Sequence, residues 1–381
     1  MLFTGGFSIQ VDRMKCLNYQ HNGVGCQQCA SHCPVDALNI QDNGIFLDKE
    51  KCIGCGLCFS DCPTGVFHSS QWDETTLSQE VKKQSTAITQ FFCEYNDEPF
   101  LGKEDKEKGA IQIPTCLSSI SKGAWYEIGI QTNVELRMEK CGQCPMNSCI
   151  ERMQYSIETA MEWLTASGHK PSFIYLDHVN NVHKKKRLKA VTTGMKVTSR
   201  RDLFLSLFGQ GKEIVQEKIR QKDYRTHGKR KKTLKTLPDW QRRLESSYTS
   251  NFQEGGSAAY WPSIEKSNTC VNCGMCSINC PTGALQIRLV EGKAVHVFTA
   301  GHCLDCRLCM LFCPTESIQR DRKPNLHPFE TEIVLENSAI ECRKCGNHTF
   351  NQANNLCYFC ENEAEESAMI SDVLKHLVGS L

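Results

Sequence analysis

The clearest hydrophobic periodicity in this 381-residue chain lies between residues 86 and 180. Short apolar runs predict β-strands at residues 87–92, 111–114, 134–138 and 173–176. Amphipathic stretches between them predict helices at residues 118–128 and 149–166. The second helix ends before Gly168, and Pro171 lies beyond it, which is a normal helix stop. Strands that alternate with helices predict a small parallel α/β sheet.

Two further segments predict amphipathic helices. One follows Ser199, where an acid three residues later, Asp202, favours a capping box before the letters LFLSLF. The arginines between them also resemble a twin-arginine export signal, but such a signal lies at an N-terminus, so we favour the capped helix. The other segment covers residues 364–381.

The lengths of the apolar stretches and the spacing of the cysteines predict the cellular location of the protein. No stretch approaches the roughly 18 apolar residues that span a bilayer, and the first residues lack the basic start and apolar core of a signal peptide. Nearly all of the 25 cysteines fall into Cys-x2-Cys groups, the spacing of metal sites rather than of a disulfide framework. We therefore expect a cytoplasmic protein in a reducing compartment, with no membrane span.

Cysteine motifs occur as two tandem pairs, which indicates an internal duplication. The motif Cys-x2-Cys-x2-Cys-x3-Cys-Pro begins at Cys52, Cys270 and Cys303. In the N-terminal copy Gly23 stands where the first cysteine is expected, and Cys16 can replace it through a longer loop. Three thiolates spaced in this way can wrap one face of a 4Fe-4S cluster, while the cysteine before proline ligates the other cluster of the pair.

This crossing predicts four 4Fe-4S clusters. The first two ligand sets are Cys16, Cys26, Cys29 and Cys62, then Cys52, Cys55, Cys58 and Cys33. The other two are Cys270, Cys273, Cys276 and Cys313, then Cys303, Cys306, Cys309 and Cys280. Zinc binding by these thiols is disfavoured, because four Cys-Pro motifs have no use in a zinc site.

Both regions resemble the bacterial two-cluster ferredoxin family. The resemblance includes a linking hairpin, LNIQDNGIFLDKEKC, and a small residue after each Cys-Pro: Ala37, Gly65, Gly283 and Ser317. It covers about 120 residues in two places and implies a ferredoxin-like fold with electron-transfer activity.

Five further cysteines lie in the region of the predicted sheet. Cys93, Cys116 and Cys141 each follow a predicted strand, so a parallel sheet would gather them at its carboxyl edge and form another metal site. The letters FFCEYN, IPTCLSSISKGAWYEIG and VELRMEKCGQCPMNSC resemble the delta subunit of methyl-viologen-reducing hydrogenase, which implies a 2Fe-2S cluster. The chain has Asn96 where that family has a second early cysteine.

The fourth ligand of this middle site stays open between Cys144 and Cys149. We favour Cys149, because it starts the following helix. The alternative for the whole group is a set of buried structural cysteines.

The C-terminal cysteines Cys342, Cys345, Cys357 and Cys360 form two knuckles of a zinc ribbon, in which four thiolates close a tetrahedral site. A rubredoxin-like mononuclear iron would use the same sulfurs, so zinc against iron stays open.

Charge is distributed unevenly, although the chain as a whole carries +1. Residues 181–245 hold 20 lysines and arginines against 6 acidic residues, a net charge of +14, which leaves −13 elsewhere. We expect the runs at residues 184–187 and 229–232 to dock an acidic redox partner. The alternative is a regulatory iron–sulfur protein that binds nucleic acid, which is disfavoured because few aromatics interrupt the basic runs.

Together these patterns predict an α+β multidomain protein with two ferredoxin-like dicluster modules flanking a small parallel α/β domain, and a C-terminal zinc ribbon. The expected domains are residues 1–80, 86–180, 181–250 (a basic helical linker), 260–328 and 335–381. The chain lacks a dinucleotide fingerprint or phosphate loop, and we identify no autonomous active site. Chemistry at an incompletely ligated cluster is disfavoured, because sixteen cysteines supply the sixteen cubane ligands.

The expected function is that of an electron-transfer subunit in an oxidoreductase complex. It would pass single electrons between a catalytic partner of the hydrogenase, formate dehydrogenase or heterodisulfide reductase type and another redox protein such as a flavoprotein. The identities of donor and acceptor and the direction of flow stay open.

Overall fold

The computed structural model describes residues 8–21, 24–41, 44–97, 99, 107–177, 189–190, 195–198 and 235–363. They form two compact units, one within Met1–Thr233 and Pro238–Ser257, the other within Leu234–Leu237 and Ala258–Leu381. The helix predicted after Ser199, both basic runs and the C-terminal helix lie outside the described residues. Within the described part, no helix is long and apolar enough to cross a membrane.

The first unit begins with a module of short elements. They are β1 (Gln10–Val11), α1 (Leu17–Gln20), β2 (Leu38–Gln41), β3 (Gly44–Leu47), α2 (Leu57–Asp61) and β4 (Phe67–His68). Strand β1 pairs antiparallel with β4, and β2 pairs with β3 as the hairpin that the sequence predicts. Such short elements leave most of this module as loops, and the loops carry its cysteines.

A mixed sheet with helices follows in the same unit. Its elements are α3 (Glu74–Gln84), β5 (Ile88–Cys93), β6 (Lys108–Ile113), α4 (Lys122–Gln131), β7 (Asn133–Arg137), α5 (Cys149–Ala166), β8 (Phe173–Leu176), β9 (Lys189–Ala190) and β10 (Lys196–Thr198). The strand order is β8-β7-β5-β6-β10-β9. Strands β5 to β8 pair in parallel, which confirms the predicted parallel sheet, and β10 joins β6 antiparallel.

Predicted and observed bounds coincide for some elements and differ by a few residues for others. Helix α5 and strand β8 occupy the predicted residues. Helix α4 begins later than predicted, at Lys122, because the Ser121 hydroxyl accepts a hydrogen bond from the Ala124 amide and caps the helix there. The preceding residues, Leu117–Ser119, form a separate 3₁₀ turn.

Helix α6 (Asp239–Asn251) belongs to the first unit, although the sequence predicts this stretch as the end of a basic linker. Its Tyr248 ring stacks on Tyr126 of α4 with centroids 5.6 Å apart. Arg243 lies between two carboxylates, 2.5 Å from Glu74 and 3.6 Å from Glu127. Burial raises the pKa of Glu127, and the Arg243 charge opposes that rise. The guanidinium therefore compensates two acids that would otherwise repel each other in a poorly solvated position.

The second unit repeats the modular pattern on longer strands. Its elements are β11 (Ala259–Lys266), α7 (Met275–Ile278), β12 (Leu285–Val290), β13 (Lys293–Phe298), α8 (Leu308–Leu311), β14 (Ile318–Asn325), β15 (Glu332–Ser338), β16 (Ile340–Glu341) and β17 (His348–Thr349). Strand β11 pairs with β14, β13 lies between β12 and β15, and β16 with β17 forms the terminal hairpin.

Backbone register relates the two modules residue by residue. Val11 is paired with Phe67 in the first module, and Lys266 is paired with Ile318 in the second. The next amide donates across the pair in both cases, from Asp12 to the Val66 carbonyl and from Ser267 to the Ser317 carbonyl, each at 2.8 Å. Val11 therefore corresponds to Lys266, and Val66 corresponds to Ser317.

We expect Arg243→Ala to destabilise the contact between α4 and α6 by about 3–5 kcal/mol, because the change leaves the buried Glu127 and the partly buried Glu74 without their cation. Hydrogen exchange of the α6 amides measures the opening of this contact without assuming two-state unfolding of a protein with several metal sites. The matched control is Arg242→Ala, which removes an exposed partner of Asp239 and should cost at most about 1 kcal/mol. Equal exchange rates in the two variants would contradict the proposed role of Arg243.

Candidate metal centres

A tight turn follows every Cys-Pro pair. The amide three residues after the cysteine donates to the cysteine carbonyl at 3.3 Å in all four turns, from Asp36, Gly65, Gly283 and Glu316. Each of these residues has a positive φ, which glycine adopts freely and the two acids adopt at a conformational cost. In three turns the next amide donates to the cysteine sulfur, at 3.3 Å for Cys33, 3.5 Å for Cys62 and 3.3 Å for Cys313. Such N–H donors favour the thiolate that a metal requires.

The eight cysteines of the first module form two neighbouring groups. Partial burial raises the pKa of the Cys29 thiol, and the charges of Cys62, Cys26 and Cys16 raise it further. Partial burial also raises the pKa of the Cys52 thiol, and the charges of Cys55 and Cys33 add to that rise. The structure thus brings together the members of both ligand sets that the spacing predicts, including the displaced Cys16.

Asn18 closes the long loop that separates Cys16 from the rest of its group. Its side chain is buried, donates to the Cys26 carbonyl at 2.8 Å, and accepts from the Cys26 amide at 2.9 Å. This pair of bonds ties the two ends of the loop together. Sequence spacing identifies Cys16 as a substitute ligand but gives no sign of the residue that positions it.

The second module gathers its cysteines in the same two groups. Cys273 lies in the field of Cys276, Cys313 and Cys270, and all four line one cavity. Burial raises the pKa of Cys309 to about 12, with further contributions from Cys306 and Cys280. Cys313 differs from its counterpart Cys62: burial opposes ionisation at both, but the Ser317 hydroxyl and nearby amides hold the Cys313 pKa below its ordinary value.

The middle cysteines meet at the carboxyl edge of the parallel sheet, as the strand order predicts. Cys93 ends β5, Cys116 follows β6, and Cys141 and Cys144 flank a 3₁₀ turn after β7. These four cysteines, Cys149 and Asn96 line one largely apolar cavity. Burial raises the pKa of Cys116 to about 12 and that of Cys141 to about 11. Closely grouped neutral thiols in a dry cavity are a suitable site for a metal cluster that displaces their protons.

Cys144 and Cys149 occupy different positions around this cavity. The charge of Cys144 acts on both Cys93 and Cys141. Cys149 is buried and contacts Cys55 of the first module, whose pKa it raises through a side-chain hydrogen bond. The charge couplings thus group Cys144 with Cys93 and Cys141, whereas Cys149 packs between Cys93 and Cys55.

Asn96, where the resemblance would place a second cysteine, is a hydrogen-bond donor in this structure. Its buried amide donates to the Arg137 carbonyl at 3.0 Å and lies 3.8 Å from the Cys93 sulfur and 4.0 Å from the Cys141 sulfur. Its carbonyl oxygen accepts from the Lys140 amide at 3.1 Å. Asn96 thus joins the loops after β5 and β7 and directs N–H groups towards two sulfurs.

Helix α2 fixes the first module against this edge of the sheet. The Ser60 hydroxyl donates to the Ser118 carbonyl at 2.6 Å, and Arg152 of α5 pairs with Asp61 at 2.8 Å. Thr115 donates to the Gly54 carbonyl at 2.9 Å. A side chain at Gly56 would lie 2.7 Å from the Ser119 Cβ, so the close approach requires glycine. These contacts hold the loop of Cys55 and Cys58 beside the middle cavity.

The C-terminal ribbon brings four sulfurs together. Those of Cys342, Cys345, Cys357 and Cys360 all lie within 4.8 Å of one another. Burial opposes ionisation of Cys342, but backbone N–H groups at Cys357 and Lys344 lower its pKa to about 6. A tetrahedral thiolate site for a single metal ion fits this arrangement.

Comparison with known proteins supports the two modules. Residues 23–66 and 269–317 match the model of the 4Fe-4S dicluster domain. A formate dehydrogenase iron-sulfur subunit of Wolinella succinogenes is 58% identical over 39 residues, which are 10% of this chain and 20% of that protein. An uncharacterized ferredoxin of Methanocaldococcus jannaschii is 47% identical over 49 residues, 12% of this chain and 30% of that protein. Hydrogenase-4 component A of Escherichia coli is 43% identical over 42 residues, 11% of this chain and 20% of that protein.

The chain thus spans only a fifth to about a third of the length of these relatives. Within that limit the comparisons confirm the sequence prediction of two dicluster modules, and they support an iron–sulfur electron-transfer role.

Proposed function

We propose that this chain carries single electrons through four 4Fe-4S clusters and one 2Fe-2S cluster, as a subunit of an oxidoreductase complex. One observation supports this most directly. The middle cysteine cavity adjoins the loop of Cys55 and Cys58, so three candidate redox sites lie next to one another in a single compact unit. When bound, iron–sulfur clusters exchange one electron at a time.

The sixteen cysteines of the two modules fit the four ligand sets that the spacing predicts. The thiols of each set lie close enough for their charges to interact, and in three of the four sets an N–H group also donates to the sulfur of the Cys-Pro cysteine. Buried groups of four thiols are otherwise costly, since their ionised forms repel in a poorly solvated site. A bound cluster would remove that cost by supplying positive iron.

For the middle site we propose Cys93, Cys116, Cys141 and Cys144 as ligands of the 2Fe-2S cluster. The position of Cys144 beside Cys93 and Cys141 supports this choice over Cys149. Cys149 then remains a thiol that bridges the middle cavity and Cys55. Its sulfur and the side chain of Met146 provide a packed, water-excluding contact between two redox sites.

For the C-terminal ribbon we propose zinc held by Cys342, Cys345, Cys357 and Cys360. The mutual sulfur spacing within 4.8 Å suits one tetrahedral ion. Zinc would stabilise this small region, whose buried core cluster consists of three of the cysteines with Leu356 packed against it.

The proposed partners are redox subunits of the formate dehydrogenase, hydrogenase or heterodisulfide reductase type, or a flavoprotein. Relatives named as a formate dehydrogenase iron-sulfur subunit and a hydrogenase component support this class. The basic runs at residues 184–187 and 229–232 are the proposed docking segment, because charge complementarity speeds encounter between redox proteins.

Metal content tests the cofactor assignment. Anaerobically purified protein should contain about 18 iron, from four 4Fe-4S clusters and one 2Fe-2S cluster, and about one zinc per chain. Elemental analysis with a protein determination by amino-acid analysis gives both numbers. About 8 iron per chain would contradict the four clusters, and about 19 iron without zinc would favour a mononuclear iron in the ribbon.

Substitutions of the middle cysteines test the 2Fe-2S ligands. Each of Cys93→Ala, Cys116→Ala, Cys141→Ala and Cys144→Ala should abolish one 2Fe-2S signal in the paramagnetic resonance spectrum of the reduced protein. The 4Fe-4S signals should persist, because their proposed ligands lie in the two modules.

Cys149→Ala is the matched control, since it removes a buried sulfur from the same cavity without removing a proposed ligand. It should retain the 2Fe-2S signal. Loss of that signal in Cys149→Ala with retention in Cys144→Ala would reverse the assignment, and an unaltered spectrum in all four ligand variants would refute the middle cluster.

Neutralising the basic runs tests the docking segment. Glutamine in place of Lys184, Lys185, Lys186 and Arg187 should slow electron transfer to the co-purified partner at low salt without changing iron content. Stopped-flow absorbance at several ionic strengths measures this effect. If neither the substitutions nor salt changes the electron-transfer rate, the segment is a linker and does not dock the partner.

A further inference from the structure

The second module contains a cation that its counterpart lacks. The Lys266 ammonium lies 3.1 Å from the Cys276 sulfur and 2.5 Å from Nδ1 of His296. Cys276, Lys266 and His296 line the same cavity as Cys270 and Cys313. A positive charge is therefore aimed at one proposed cluster ligand.

The ammonium is held by a buried chain of hydrogen bonds. His296 is completely buried, and its Nε2 lies 2.9 Å from the Asn272 side-chain oxygen. Asn272 in turn donates through its amide nitrogen to the His348 carbonyl at 2.9 Å. Because that nitrogen is the donor, the Asn272 oxygen accepts from His296, which therefore carries its proton on Nε2 and presents a lone pair on Nδ1 to Lys266.

The protonation state of His296 agrees with this assignment of donors and acceptors. Burial and, to a lesser extent, the Lys266 charge together lower its pKa to about 3, so the imidazole is neutral. A neutral ring can accept from the ammonium, whereas an imidazolium would repel it. The chain consequently fixes Lys266 with one N–H directed to His296 and another available to Cys276.

A second polar group contacts the same proposed ligand set. The Ser317 hydroxyl lies 3.3 Å from the Cys313 sulfur, and the Ser317 amide donates to that sulfur at 3.3 Å. The corresponding amide in the first module, at Val66, also reaches its cysteine, Cys62. Only the hydroxyl is new, since valine has none.

The first module thus serves as an internal reference. Strand register makes Val11 the counterpart of Lys266, and Val66 the counterpart of Ser317. The backbone frame is repeated, while two apolar side chains are replaced by an ammonium and a hydroxyl. Reduction adds one negative charge to a thiolate-ligated cluster, and a nearby cation or hydrogen-bond donor stabilises that charge.

We propose that Lys266 and Ser317 raise the reduction potential of the 4Fe-4S cluster at Cys270, Cys273, Cys276 and Cys313 above that of the corresponding cluster at Cys16, Cys26, Cys29 and Cys62. The inference rests on the ligand sets of the proposed function. A low-potential one-electron donor would accordingly reduce this cluster of the second module in preference to the corresponding cluster of the first module.

The test is an anaerobic redox titration of the full chain, followed by paramagnetic resonance, for wild type and Lys266→Met. One midpoint should fall by an amount that corresponds to at least a tenfold loss in the equilibrium constant for reduction, which is about 59 mV for a one-electron couple. A parallel Cys276→Ser variant, which alters the same signal, identifies the cluster. Lys266→Arg should restore most of the midpoint because it restores the charge.

Lys323→Met is the matched control, because Lys323 lies on the neighbouring strand, is exposed and pairs with Glu265. It removes the same charge but should leave every midpoint unchanged. A midpoint unaffected by Lys266→Met, or lowered equally by Lys323→Met, would overturn the proposal.

Two further measurements keep the result decisive. If Lys266→Met lowers iron content, Ser317→Val removes only the hydroxyl contact with Cys313 and should lower the same midpoint; no change there would also overturn the proposal. Four clusters with midpoints insensitive to these variants would refute this inference alone, whereas about 8 iron per chain would refute the proposed function itself.

Discussion

Repulsion among buried thiolates is the constraint on which most of this structure depends. Cys58 illustrates it: burial raises its pKa well above the ordinary value, and Cys55, Cys52, Cys29 and Cys62 all add to the effect. Such a group is stable when the thiols stay protonated or when a metal centre supplies positive charge. The cysteine-rich modules therefore depend on metal for their ionised form. The parallel sheet does not, because Phe91, Trp125 and Ile128 give it a buried apolar core of its own.

The join between the first module and the sheet follows from this difference. A loop committed to metal ligation has few apolar side chains to bury, so its contacts with the sheet are polar and close. Ser60, Asp61 and Gly54 each meet a partner from the sheet domain, and Gly56 permits the backbone approach. The apolar part of the join is built largely from sulfur, through Cys55, Cys149 and Met146. The contact that joins the module to the sheet thus uses the residues that separate the middle cavity from Cys55.

Sequence alone predicts the features that spacing encodes. The Cys-Pro motifs identify both modules, and alternating periods predict the parallel sheet and the bounds of α5 and β8. Spacing does not predict contacts between segments that are distant in the sequence. The proximity of Cys149 to Cys55 joins residues almost a hundred positions apart, and it changes the preferred fourth ligand of the middle site. The sequence predicts the stretch of helix α6 as part of a basic linker because of its lysines and arginines, whereas packing on Tyr126 and the ion pairs of Arg243 join it to the first unit.

Duplication explains why side chains rather than the backbone must distinguish the two modules. The amide that donates to the Cys62 sulfur in the first module has its counterpart in the Ser317 amide, which donates to the Cys313 sulfur in the second, so these backbone donors do not distinguish the two corresponding sites. The partly buried ammonium of Lys266 can distinguish them, but only if its other hydrogen bonds are satisfied. In the second unit that chain runs from His296 through Asn272 to the His348 carbonyl, which belongs to β17 of the ribbon. The C-terminal hairpin therefore contributes to the electrostatics of a site whose cysteines it does not share, and this gives the hairpin a physical reason to pack against a ferredoxin-like module.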